Sequence, residues 1–217
     1  MPKIPVIKLA NEPVNRFFFE RKAAAEGHRA VAGVDEAGRG PLAGPVVASA
    51  VVIRDGDFNN RIDDSKKLTA RMREKAFEEI AAKCDIGVGL ATVEEIDSIN
   101  IFNATLLAMK RAVGRLRVEP DLILVDGQMN IPVPKKKICL NKGESKSISI
   151  ACASIIAKVS RDRLMVELDK DFPQYGFAKH KGYGTRYHME AIIKYGLSPA
   201  HRRSFGPFGT KEKELRT

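Results

Sequence analysis

DLILVDG, residues 121–127, constrains this chain more than any other stretch. Four consecutive apolar residues, Leu122 to Val125, run between two acids, and Gly127 follows. Neighbouring side chains on a strand point to opposite faces, so a wholly apolar strand must be covered on both. Such a strand belongs at the centre of a sheet flanked by helices. AVAGVDE, residues 30–36, has the same character and also ends in acids, Asp35 and Glu36.

The rest of the chain supplies the neighbours. PVVASAVVI (45–53) reads as a second strand, joined to the first through a glycine-bearing segment short enough for antiparallel pairing. DIGVGLATV (85–93) reads as a third strand and KKKICLN (135–141) as a fifth. Helices are expected over 13–27, after the loop that opens 63–83, over 96–117 and over 147–171. Thr69 is placed to cap the second, and Met72, Phe77, Ile80 and Ala81 to form its apolar side. In the third, Ile101, Thr105, Ala108, Ala112 and Leu116 recur near helical spacing, and Pro120 bars continuation. Strands first, then strands alternating with helices, give an α/β fold with a partly antiparallel sheet. A loop, a helix and a basic end follow.

Charge narrows the partners. The 217 residues carry 37 Lys and Arg against 27 Asp and Glu, a net +10. Residues 1–126 hold 19 of each sign, whereas residues 127–217 hold 18 basic and 8 acidic side chains. This suggests a polyanionic partner, either nucleic acid or a membrane surface, leaning mainly on the C-terminal part; a basic protein with no such partner is the competing account. Cys84, Cys139 and Cys152 are odd in number and without CxxC spacing, which argues against a disulfide framework or zinc ribbon and for reduced core thiols. No apolar run approaches membrane-spanning length. The N-terminus does not read as a signal peptide, so the expectation is a cytoplasmic protein, monomeric, with no membrane partner.

The acids suggest chemistry. Ligand sites in α/β sheets gather outside the carboxyl ends of strands, where Asp35, Glu36 and Asp126 all fall. Clustered carboxylates repel one another, and a hard divalent cation such as Mg²⁺ or Mn²⁺ relieves this. Two readings stand here: a metal site suited to phosphodiester chemistry, or acids that cap and salt-bridge within the fold. For Glu36 to join Asp35, the strand is expected to stop at Asp35 and turn through Ala37 and Gly38. GRGPLAG (38–44) lacks the ending of a Walker loop and the order of a dinucleotide fingerprint. Its glycines let a ligand approach the backbone, whose N–H groups can serve phosphate or sugar; a plain tight turn is the competing account.

GVDEAGRGPLAGPVVASAVVI (33–53) resembles the first signature of the type 2 ribonucleases H, specifically bacterial ribonuclease HII. DDSKKLT (63–69), IDSINIFNATLLAM (96–109), LVDG (124–127), SIACASIIAKVSRDRLM (149–165), HKGYGT (180–185) and SPAHRRSF (198–205) match in order. The resemblance implies an RNase H-like mixed sheet flanked by helices with a helical C-terminal part, over residues 29–205. Residues 1–28 would be an N-terminal extension and 206–217 a tail. It implies hydrolysis of the RNA strand of RNA–DNA hybrids and incision 5′ of single ribonucleotides embedded in duplex DNA. The route would be a two-metal-ion mechanism with Mg²⁺ or Mn²⁺, giving 3′-hydroxyl and 5′-phosphate ends.

By the same resemblance Asp35, Glu36 and Asp126 are catalytic, metal-binding carboxylates. The family usually has Asp in a Lys-Gly-Asp stretch before its long helix, whereas this chain has Glu144, expected to serve as the fourth acid. Asp162, flanked by Arg161 and Arg163, reads as an ion-pair partner. Gly38, Arg39 and Gly40 are expected to read the 2′-hydroxyl, and Tyr183 to pack against the sugar beyond the ribonucleotide. Lys66, Lys67 and Asn100 are expected on the nucleic-acid backbone, with Lys142, Lys146, Lys179, Lys181, Arg202 and Arg203 as further basic contacts. His180, His188 and His201 show no zinc spacing and take no role from the sequence.

Overall fold

A computed structural model describes residues 15–206; the start of the 13–27 helix and nearly all of the expected tail lie outside them. The sheet has five strands: β1 (Val31–Ala37), β2 (Val46–Ile53), β3 (Cys84–Ala91), β4 (Leu122–Asp126) and β5 (Lys136–Leu140). Their order is β3-β2-β1-β4-β5. β1, β2 and β3 pair antiparallel, and β4 and β5 join parallel to β1. The two apolar runs ending in acids are thus adjacent central strands. All three cysteines are free and buried.

Among the described residues six α-helices complete the fold: α1 (Phe18–Ala25), α2 (Ala70–Lys83), α3 (Val93–Val113), α4 (Ile148–Asp171), α5 (Phe177–His180) and α6 (Arg186–Tyr195). α3 packs Ala104, Ala108, Met109 and Ala112 against one face of the sheet. α2 and the first half of α4 pack on the other, around Val51, Ile80, Ile155 and Ile156. Thr69 caps α2 by accepting from Met72 N. On that helix Ala76 takes the core place expected of Ala81, which is exposed, because Ala76 falls one turn from both Met72 and Ile80.

α3 departs from the single helix expected over 96–117. It starts earlier, at a reciprocal cap in which Thr92 accepts from Glu95 N and Glu95 accepts from Thr92 N. It breaks at Asn100, whose φ of 65° and ψ of 163° are not helical. The Asn100 carboxamide then accepts from Asn103 N, capping the second segment. Arg111 spans the break, with both terminal nitrogens 2.7 Å from the Glu95 carboxylate.

Glycines set how closely the layers approach. A Cβ on Gly33 of β1 would lie 2.1 Å from the Ser149 carbonyl carbon and 2.3 Å from Ile150 N, at the start of α4. That start is also held from outside, where Glu20 of α1 accepts from Ser147 Oγ, Ser149 N and Ser149 Oγ. α1 therefore clamps the N-terminus of α4, where a carboxylate is favoured.

Gly33→Ala is expected to lower unfolding free energy by about 3 kcal/mol, the upper range for overpacking, because the obstacle is backbone. Urea unfolding at neutral pH measures it, and a midpoint within error of wild type would show that α4 can shift outward freely.

Candidate active site

The site begins with register. In the parallel pair, Val34 stands opposite Val125, so Asp35 and Asp126 follow side by side where the pairing of the two strands ends. β4 stops at Asp126 and Gly127 turns away at φ 74°. β1 does not stop at Asp35, as expected, but runs on to Ala37 against β2. β1 extends past the end of its pairing with β4, and Glu36, on that extension, lines the same cavity. Glu144 arrives from a short 3-10 turn, Gly143–Ser145, four residues beyond the end of β5. All four acids line one cavity of about 340 Å³.

The carboxylates are crowded and under-partnered. Asp35 is only 6% exposed. Burial, then the charges of Glu36 and Asp126, hold it well above the usual carboxylate range. Burial also raises Glu36, against the pull of Arg39. Glu144 is pushed up to about 7 by burial, by a hydrogen bond with Asp126 and by the charge of Asp126. Asp126 Oδ1 accepts from Gly143 N at 2.6 Å, tying the Glu144 turn to the end of β4.

Glu36 Oε2 and Glu144 Oε2 are buried without a hydrogen-bond partner. Buried oxygens without donors are costly. Among the described residues, no three His, Cys, Asp or Glu side chains stand as a ready coordination sphere. The donor set nonetheless fits a hard divalent cation: four carboxylates, two carrying orphaned oxygens, and neither thiol nor imidazole among them.

The glycine turn is held from behind by two buried arginines. Arg202 donates to the carbonyls of Gly38, Arg39 and Gly44. Arg161 donates to the carbonyls of Pro45, Ala43 and Lys181. Burial pushes Arg161 down to about 10, and burial with the Arg161 charge pushes Arg202 down to about 9, so both stay charged at neutral pH. A Cβ on Gly38, at φ 95°, would lie 2.0 Å from Arg161 Nε. Arg202 is therefore not the surface phosphate contact expected of it: it is wholly buried and spends its donors on backbone. The same clamp brings Tyr183, which is 48% exposed, to the rim of the cavity beside Gly40.

Of the other expected contacts, Gly38, Arg39, Gly40 and Lys66 line the cavity with the acids. Lys67, Asn100, Lys142, Lys146 and Lys181 do not. Lys181 lines a neighbouring hollow of about 320 Å³ with Arg73 and Asp162. Asp162 is an ion-pair partner, though of Lys158 one turn back, at 2.7 Å, and not of the flanking arginines. Sequence reasoning missed Ser65, Ser154 and Lys158, which also line the cavity. The spacing of Ser154, Lys158 and Asp162, four residues apart on one helix, was the available signal.

The fold is that of the RNase H-like proteins, a mixed sheet flanked by helices with a helical C-terminal part. The sequence profile described as Ribonuclease HII matches residues 32–207. Ribonuclease HII of Acetivibrio thermocellus is 51% identical over 205 residues, 94% of this chain and 80% of that one. Ribonuclease HII of Geobacter sulfurreducens is 55% identical over 188 residues, 86% and 87% of the two chains. The crystal structure of ribonuclease H2 from Pyrococcus horikoshii superposes with a TM-score of 0.72 at 30% identity, covering 87% of this chain and all of that one. The chain belongs to the ribonuclease HII family and is an endoribonuclease of that type.

Crowding of the acids has a measurable consequence. Glu144 holds its proton more tightly folded, at about 7, than at its ordinary 4.5. Its stabilising contribution is complete below the lower value and lost as pH rises through the upper, and Asp35 and Glu36 act in the same direction. Without divalent ions, Tm is expected to fall between pH 5 and pH 8. Asp35→Asn should raise Tm at pH 8, by roughly 2–4 °C per kcal/mol of repulsion relieved. Mg²⁺ or Mn²⁺ should stabilise the wild type more at pH 8 than at pH 5, since protons compete for the ligands. A Tm indifferent to both ions at pH 8 would remove these acids as a metal site.

Proposed function

We propose that this enzyme hydrolyses the RNA strand of RNA–DNA hybrids and incises 5′ of single ribonucleotides embedded in duplex DNA, leaving 3′-hydroxyl and 5′-phosphate ends. The observation that carries the proposal is the convergence of Asp35, Glu36, Asp126 and Glu144 beside a backbone-lined turn in one cavity. These four side chains would hold Mg²⁺ or Mn²⁺. Bound there, such ions would supply the activation of a water and the stabilisation of the leaving 3′ oxygen.

The remaining residues position the substrate. RNA differs from DNA by the 2′-hydroxyl, which both donates and accepts. Main-chain groups of the Gly38-Arg39-Gly40 turn not already bonded to Arg202 would approach it, since no side chain stands between a glycine backbone and a sugar. The arginine clamp fixes that turn before substrate arrives, which spares the cost of ordering it on binding. Tyr183 offers an exposed ring beside Gly40, suited to the sugar on the far side of the ribonucleotide. Lys66 and Lys158 bring positive charge to the cavity, and Lys67, Asn100, Lys142, Lys146 and Lys181, which lie outside it, would contact phosphates away from the cleavage point.

Glu144 is the acid in which this chain departs from the usual family sequence. Its longer side chain keeps the charge and both oxygens, so it serves as the fourth ligand from a turn already tied to Asp126.

A labelled duplex with one ribonucleotide, beside an all-DNA duplex, tests the reading directly. Cleavage is expected only of the first, and only with Mg²⁺ or Mn²⁺. Asp35→Asn should bind that duplex and leave it intact. Glu144→Asp should keep or raise activity, whereas Glu144→Gln should lower it ~10- to 100-fold, the scale of a weakened metal site. Wild-type turnover by the Gln variant would take Glu144 out of the mechanism. Affinity should also fall linearly in log–log against salt concentration, with a slope set by the number of phosphates contacted.

A further inference from the structure

Three histidines left without a role by the sequence meet beneath the Tyr183 loop. His188 and His201 are 0% and 1% exposed. Their rings sit among Phe177 and Tyr175, with Phe177 edge-on to His188 at 5.5 Å and Tyr175 edge-on to His201 at 4.8 Å. Among the described residues no acid hydrogen-bonds to either ring, and their partners are the Tyr183 carbonyl, Ser198 and the other histidine. Burial depresses the proton affinity of both.

The hydrogen bonds then leave one arrangement of protons. The Tyr183 carbonyl can only accept, so His188 Nδ1, 2.9 Å away, carries the hydrogen. His188 Nε2 is therefore an acceptor, and His201 Nε2, at 3.0 Å, must donate to it. His201 Nδ1 is left as an acceptor, and Ser198 N donates to it at 2.9 Å. Both ends of the chain demand the same polarity. His180 stacks on His188 with ring centroids 4.4 Å apart, and its Nδ1 accepts from Gly182 N. A continuous relay thus runs from the Ser198 main chain to the Tyr183 main chain through two neutral imidazoles.

We infer that His188 and His201 are positioning residues for Tyr183: the relay sets where its main chain sits, and hence how its ring meets the substrate beside Gly40. The inference rests on the reading of Tyr183 as a substrate contact. Neither histidine lines the cavity, so neither is a catalytic residue. Tyr183 O also accepts from Thr185 N, and Thr185 Oγ1 caps α6 by accepting from His188 N. The loop is thereby tied to the helix that carries His188.

The test is a double-mutant cycle on the single-ribonucleotide duplex, with Tm measured alongside. His188→Phe fills the space but donates nothing to Tyr183. It is expected to lower kcat/KM about tenfold, mainly through KM, and Tyr183→Ala to lower it by at least as much. In the Tyr183→Ala background, His188→Phe should cost less than twofold, because the group it positions is gone. His188→Asn, whose amide can donate where Nδ1 does, should recover most of the loss, and His188→Gln should not. If the Phe variant does not fold, the Asn and Gln pair carries the comparison. Additive losses in the cycle, or equal losses for Asn and Gln, overturn the inference alone. Wild-type kcat/KM for Tyr183→Ala overturns the reading of Tyr183 and the inference with it.

Discussion

Parallel pairing of β1 with β4 is the constraint on which the rest of the molecule depends. A shift of one residue in that pairing would turn every side chain of β4 to the other face. It would turn Asp126 to the face opposite Asp35 and exchange the apolar residues that now meet α3 with those that meet the start of α4. Core and site are therefore fixed by the same hydrogen bonds. Unequal strand length does the rest. β4 ends where the acids begin, and β1 continues along β2 for two residues more, so Glu36 lines an opening instead of a ladder.

Behind the acids lies their electrostatic opposite. Arg161 and Arg202 are buried with their guanidinium groups bonded to carbonyls, in a region where charge is costly to bury. Each spreads its donors over three separate peptide groups. The planar fork of arginine suits this, and lysine has no equivalent. The carbonyls come from the turn that follows β1 and from the loop before Tyr183. Two stretches 140 residues apart in sequence are thus joined through a polar layer, and a polar layer dictates geometry more strictly than apolar packing does. The neutral histidine relay extends the same device beneath Tyr183.

Much of this was legible in the sequence, for reasons that can be named. Leu122 to Val125 could only be a central strand, since nothing polar gives that segment a wet face. Thr69 had the right neighbours to cap α2, and Asp126 stood where its strand ended. Arg202 was misread because a charge in a basic run looks solvated until its carbonyl partners are known, and those lie some 160 residues away. The break at Asn100 was missed because apolar spacing persists through it when both segments pack on one core. Lys158 and Ser154 went unnoticed because a buried helix has no distinct polar face to draw attention to them.

The sequence by itself determined the central strands and the family, and it singled out Asp35, Glu36, Asp126 and Glu144 as candidates, because hydrophobic periodicity and local motifs are properties of neighbours along the chain. Only the tertiary structure decided that β1 outruns β4, that Arg202 faces inward and that His188 and His201 share one proton order. Each of those depends on what a backbone carbonyl or a strand edge meets across the fold. Hydrogen bonds of that kind join residues whose separation in sequence carries no trace of their contact.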